Sequence, residues 1–203
     1  MTTTSSVNPS RARLIDRLHL ASEAEHSLCC QYLYAAFSLR RNVSDFPAGL
    51  PEETVALAMS ATQHWGYQIF YVARQEMEHL GIATNLLSAV GERPYLSHGD
   101  FPDPALAAAL KTKMVLERCN EDALRRFQLI ERPAQVLPGP APAVEAIYSE
   151  IKKLFTELPA AVLFTGDGQR QISETDVSLG LSMKVLPVTN RATAVRAIDL
   201  VLA

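Results

Sequence analysis

Cysteine is scarce in this 203-residue chain: there are three, Cys29, Cys30 and Cys119. Two are adjacent and the count is odd, which argues against a disulfide framework and fits a reducing cytoplasm. Long apolar runs are missing as well. None reaches the roughly 18 residues that a membrane-spanning helix needs. Neither sign of charge dominates: 19 lysines and arginines stand against 22 aspartates and glutamates, a formal net charge of -3. Nothing therefore points to nucleic acid or to an anionic membrane. The first residues, Met1 to Asn8, have no basic region and no apolar core, so they read as a loose tail and not as a secretory signal. There is no internal repeat and no low-complexity stretch. Gly166-Asp167-Gly168 lacks the rest of a nucleotide-binding fingerprint.

What the chain has is apolar side chains, 48% of its residues, at helical spacing. That predicts one all-α domain over residues 1–203. Trp65, Ile69, Val72, Glu76, His79, Ala83, Leu86 and Val90 recur at alternating steps of four and three, the stripe of a helix that faces a core. Two members in mid-stripe, Glu76 and His79, are not apolar. A carboxylate withdrawn from water is costly unless paired, protonated or bound to metal. Glu-x-x-His sets a carboxylate and an imidazole on one face, roughly 60° apart around the axis. Helix bundles bind iron or manganese with this unit. Glu78 lies off the stripe and is expected to face water. An earlier stripe, Leu14, Leu18, Ala21, Glu25, Leu28, Tyr32, Ala35 and Leu39, is again interrupted by one carboxylate. A metal would neutralise Glu25 and Glu76 together. The reading without metal also stands: Glu25 paired with an arginine or with His79, or the pair Glu76 and His79 as a buried ion pair or interface.

The remaining segments follow from breakers and caps. The first helix is predicted from Pro9, capped by Asn8, to about Arg41. The second runs from Pro51 to Val90, with a break at Gly66 and Gly91 as its C-cap. Glu92 to Pro104 is a loop in which His98 faces solvent. Pro104 to Leu116 is alanine-rich and reads as a helix, with an extended end as the alternative. Asn120 caps a helix from Glu121 that ends before Pro133, with Leu124, Phe127 and Glu131 on one face. Ala134 to Ala141 is a linker. A helix from Pro142 to Glu157 buries Val144, Ile147, Tyr148, Ile151, Leu154 and Phe155, leaving Glu145, Glu150 and Glu157 solvated. Leu158 to Val188 has no helical period. It is expected to wrap the bundle or cover a pocket, with short extended pieces at Val162 to Gly168 and Met183 to Pro187. The last helix follows Thr189 and buries Ala194, Val195, Ile198, Val201 and Leu202.

Several segments in order carry a resemblance. They are Glu25-His26, Gln31-Tyr32-Leu33-Tyr34-Ala35-Ala36-Phe37, Glu76-Met77-Glu78-His79-Leu80, and Asn85-Leu86-Leu87-Ser88-Ala89-Val90-Gly91. Arg126-Phe127, Ile130-Glu131-Arg132-Pro133, Leu163-Phe164-Thr165-Gly166-Asp167, Pro187-Val188-Thr189 and Ala197-Ile198-Asp199-Leu200 follow. Over about residues 14 to 203 the chain resembles the ferritin-like domain family that includes the iminophenyl-pyruvate dimer synthases of bisindole pigment biosynthesis. The resemblance implies a helical bundle with long C-terminal wrapping loops and a carboxylate metal site. Carried over by residue, Glu25, Glu76 and His79 would be ligands, and Glu131 matches a further family position. The implied activity is oxidative coupling of amino-acid-derived imines in a bacterial secondary pathway. This chain has Cys30-Gln31 where family members often have a proline just before the position of Tyr32. The family also continues past the last helix with a Gln-Gly-Glu-Gly segment and a later histidine, so part of the site is expected to lie beyond Ala203 or to be lost. Up to Ala203 the chain is expected to hold at most one well-bound metal, on Glu25, Glu76 and His79.

Two functional readings follow. In the first, iron, with manganese as the second candidate, activates dioxygen or peroxide for a two-electron oxidation of a small organic substrate. Tyr32 would then be catalytic, bonding a ligand or relaying an electron; its alternative is a core tyrosine with a satisfied hydroxyl. Cys29 reads as a buried structural thiol, and His26 lies one residue off the stripe. The second reading is a non-catalytic interaction or assembly module with an empty or structural site. Iron storage is a third, disfavoured by the long loops. Expected partners are a small molecule and further copies of the chain.

Overall fold

A computed structural model describes residues 8–131, 143–166, 168–176 and 183–203. The tail before Asn8, the linker Ala134 to Ala141 and Asp167 lie outside the described residues. Seven α-helices occur among them: α1 (Pro9–Phe37), α2 (Glu52–Ala89), α3 (Pro104–Leu110), α4 (Glu121–Glu131), α5 (Ala143–Glu157), α6 (Ala160–Leu163) and α7 (Arg191–Val201). No strand is present among the described residues, as an all-α fold requires.

Helix α1 is the hub. It packs along α2 and against α5, and α5 packs on α7. The first pair is antiparallel: Arg11 near the start of α1 donates to the Val90 carbonyl at the end of α2, while Phe37 at its other end meets Phe70 edge-on at 5.2 Å. The second pair is antiparallel too, since Arg191 reaches the Phe155 carbonyl and Lys152 pairs with Asp199 at 2.6 Å. The helices bury most of the expected stripes, with Leu14, Leu18, Leu28, Leu86, Tyr148, Ile151, Phe155 and Ile198 almost fully enclosed, while Val144, Val195, Val201 and Leu202 are half-buried. Among the described residues, no helix is long and apolar enough to cross a membrane.

Local chemistry sets the helix ends. Asn8 caps α1 by accepting from the Ser10 and Arg11 amides. The helix stops at Phe37, short of Arg41, because the Arg41 and Asn42 amides bond to the Asp45 carboxylate at 2.8 and 2.9 Å and not to helix carbonyls. Helix α3 ends at Leu110, not Leu116, where Lys111 turns left-handed at φ 55°. Helix α2 closes as predicted: Gly91 takes φ +81°, its amide bonds to Ser88 and the Glu92 amide to Leu87. This is the paired bonding of a Schellman motif. No break occurs at Gly66. At 1.5 Å per residue, the 38 residues of α2 span about 57 Å. Gly66 is the first buried one, so Glu52 to Trp65 overhangs the bundle and Trp65 is 52% exposed, against its place in the expected stripe.

Toward its C-terminal end, α2 is covered on both sides. Every residue from Ile82 to Val90 is buried. The covering chain is the segment expected to wrap the bundle. The buried Asn85 side chain donates to the Ile172 and Leu186 carbonyls and accepts from the Ile172 amide, all at 2.7–2.8 Å. Val185 lies where a Cβ on Gly81 would come within 3.1 Å of it. The wrap begins with α6, not with the extended piece expected from Val162. Thr165 then bonds to the Val90 carbonyl and Gly166 to that of Ala89.

Candidate metal centre

Glu25 sits in mid-α1 and is completely buried, while Glu76 and His79 sit one turn apart on α2, 3% exposed and half-buried respectively. The antiparallel pairing brings them together: one ligand atom from each of the three lies within 4.8 Å of the others. His79 Nδ1 stands 3.5 Å from Glu25 Oε2 and 3.9 Å from Glu76 Oε2. These separations exceed a good hydrogen bond. Neither oxygen of Glu25 has a hydrogen-bond partner in the protein, although both are sealed from solvent. A buried carboxylate left like this is costly. Two ligands opposite each other on one ion, with bonds of about 2.2 Å, stand about 4.4 Å apart. The donor set and its spread therefore fit a divalent cation, with hard carboxylate and imidazole donors suited to iron or manganese.

The charges interlock. Burial opposes a charge on His79, but Glu25 and Glu76 outweigh it and push the imidazole up to about 11. Burial alone would raise the Glu25 carboxyl; the charge of the nearby His79 imidazole overcomes it and holds it below the usual range. Glu76, buried beside the Glu25 charge, is pushed well above that range. Near neutral pH, His79 thus holds a proton that a cation must displace, and the Glu76 carboxyl is shifted in the same direction. Ion uptake should release at least one proton per ion. Because both groups have raised values, affinity should climb as pH rises from 6 to 8. Calorimetry in buffers of different ionisation heat measures the release, and proton-neutral uptake would contradict this assignment.

A cavity of about 280 Å³ opens beside the cluster. Glu25, Glu76, His79, Gln75, Glu131, Glu145 and Tyr148 supply its polar lining, and Leu28, Ile130, Val144 and residues 200–203 most of the rest. Glu131 is exposed as a residue, yet its carboxylate lines this cavity and accepts the Tyr32 hydroxyl. It lies outside the three-residue cluster. Burial and the Glu25 charge raise its pKa, against the Tyr32 hydrogen bond. Tyr32 is buried, its ring edge-on to Phe127 at 4.5 Å. It does not line the cavity; it meets the site through Glu131. Burial pushes the Cys29 thiol up to about 12, with Cys30, Glu76 and Glu25 adding to it, so it stays protonated. His26 turns away to the Leu96 carbonyl at 2.9 Å.

Three expectations need correction. Glu78 is buried, not solvated, and stands 3.6 Å from Arg74, because α2 is covered on the side expected to face water. Glu145 is half-buried and lines the cavity, so α5 does bring a carboxylate inward. Glu150 is not simply solvated either, since it pairs with Arg13 and Arg17 at 2.5 and 3.1 Å. Tyr148, expected only as core, lines the cavity, and its buried hydroxyl has no hydrogen-bond partner within bonding distance. The signal for both α5 residues was in the sequence: Glu145-x-x-Tyr148 repeats the spacing of Glu76-x-x-His79.

The ferritin-like family matches residues 18–203 of the chain. A protein of Chromobacterium violaceum named 2-imino-3-(indol-3-yl)propanoate dimerase is 30% identical to it over 193 residues. That match takes in 90% of this chain and 18% of the relative, so the chain spans about a fifth of the relative's length. No solved structure gives a significant match.

Proposed function

Because the chain belongs to the ferritin-like family, we propose that Glu25, Glu76 and His79 hold iron or manganese and that the cavity beside them serves the oxidation of a small organic substrate. The observation that carries this reading is the Glu25 carboxylate, sealed from water with no hydrogen bond to either oxygen, facing a second carboxylate and an imidazole. When bound, such an ion would supply redox chemistry toward dioxygen or peroxide.

The chain's own residues have separable tasks. His79 gives up its proton as the ion enters and regains it as the ion leaves. The apolar wall of Leu28, Ile130 and Val144 excludes water and offers a surface for a flat apolar ring. Tyr32 donates to Glu131 and fixes that carboxylate at the cavity's edge. The name of the Chromobacterium relative suggests the substrate class, an imine of an aromatic amino acid in bacterial secondary metabolism. The polar rim and apolar wall suit such a molecule.

A paired substitution tests the reading. Glu76→Ala should abolish stoichiometric metal binding. Glu78→Ala, two residues away, should keep the metal while costing some stability through the loss of the half-buried Arg74 pair, about 0.5–1 kcal/mol. Metal analysis of both purified variants checks this, and equal metal content would show that the face is assigned wrongly. A wild-type protein without metal after growth in supplemented medium would favour the non-catalytic module instead.

A further inference from the structure

We propose that Tyr148 is a positioning residue, its phenol donating to Glu25 and so deciding which oxygen of that carboxylate is turned to a bound cation. The inference rests on the metal reading above. Tyr148 is 0% exposed and its hydroxyl has no hydrogen-bond partner. Glu25 is likewise 0% exposed, with both oxygens unpartnered. The two groups are neighbours in the same cavity. One is a donor lacking an acceptor, the other an acceptor lacking a donor. Buried polar groups are rarely left so, and a small rotation of the Glu25 carboxylate would satisfy both.

The placement is built into α5. Ile147, Ile151 and Phe155, all buried, pack the helix into the bundle, which fixes the phenol ring. Tyr148 is the counterpart on α5 of His79 on α2, each three residues after a glutamate that lines the cavity. The difference lies in the terminal atom. A phenol ends in an O–H that can donate, where an imidazole offers a nitrogen lone pair to an ion. The phenol is therefore suited to donate to a ligand and not to replace one. Partners of this kind orient metal ligands and tune their basicity.

Tyr148→Phe tests the proposal because it separates packing from hydrogen bonding. The ring and its packing are kept, and the donor is removed. The metal-free variant should thus stay folded but melt below the wild type, through loss of one hydrogen bond to a buried carboxylate. Titration with Co²⁺ should show affinity reduced roughly 10- to 100-fold, with a changed visible ligand-field spectrum at saturation. A variant that binds Co²⁺ with unchanged affinity and spectrum, while the wild type binds it well, would make Tyr148 a core residue and overturn the proposal. A tyrosinate charge-transfer band on ferric loading of the wild type, absent from the variant, would put the phenol on the metal and also overturn it. A wild type that takes up no Co²⁺ would instead remove the metal reading on which the proposal rests.

Discussion

Glu25→Gln is expected to remove stoichiometric metal binding while the helical fold persists. Loss of an outer partner of a metal ligand costs roughly 10- to 100-fold in affinity, so loss of a charged ligand should exceed 100-fold. Glutamine keeps the volume and one carbonyl oxygen, so packing against α2 and α5 changes little. It removes the carboxylate charge that holds the protonated His79, and the imidazole should then titrate at lower pH. The metal-free variant should stay folded but lose the stability that the Glu25–His79 charge pair contributes. Circular dichroism with a metal titration separates the effects. Near-wild-type affinity in a folded variant would place the ion elsewhere.

Gly166→Ala should produce the largest loss of stability of any glycine-to-alanine change among the described residues. A Cβ there would lie 1.6 Å from the Ser88 carbonyl oxygen and 3.0 Å from the Gly91 amide nitrogen. Both neighbours are backbone at the capped end of α2 and cannot rotate away. The segment must lift, breaking the bond from the Gly166 amide to Ala89 and straining that from Thr165 to Val90. Overpacking of this kind costs about 3 kcal/mol, which for a chain of this size lowers the melting temperature by roughly 6–12 °C. Thermal melts of the metal-free protein provide the check. A variant that melts like the wild type would mean that the segment does not seat on the α2 cap as described.

Local information reached most of the fold and half of the site. The stripes through Glu25, Glu76 and His79 were legible because each helix buries one face against a neighbour, and periodicity reports that face directly. Gly91 and Asn8 were legible because a left-handed turn and an N-cap have strong residue preferences. The burial of Glu78 was not, because this end of α2 is covered by distant chain, Ile172 against Asn85 and Val185 against Gly81, which no periodicity within α2 reports. The early stop of α1 depends on one carboxylate, Asp45, competing for two amides. Trp65 fits the stripe, but the stripe outruns α1, and nothing within α2 reveals where its partner ends. Glu145 and Tyr148 were misjudged for a different reason. An apolar stripe was taken to define the inward face of α5, whereas a cavity lining admits a carboxylate at its edge and gives a core tyrosine a chemical task.

The central claim is that one divalent cation sits among Glu25, Glu76 and His79. Crystals grown with Fe²⁺ or Mn²⁺, with data collected at the absorption edge of that metal, test it most directly. The account predicts an anomalous peak in the cavity at about 2.0–2.2 Å from a carboxylate oxygen of Glu25, one of Glu76 and an imidazole nitrogen of His79. A metal-replete protein with no peak there, its three side chains still at the separations given above, would contradict it.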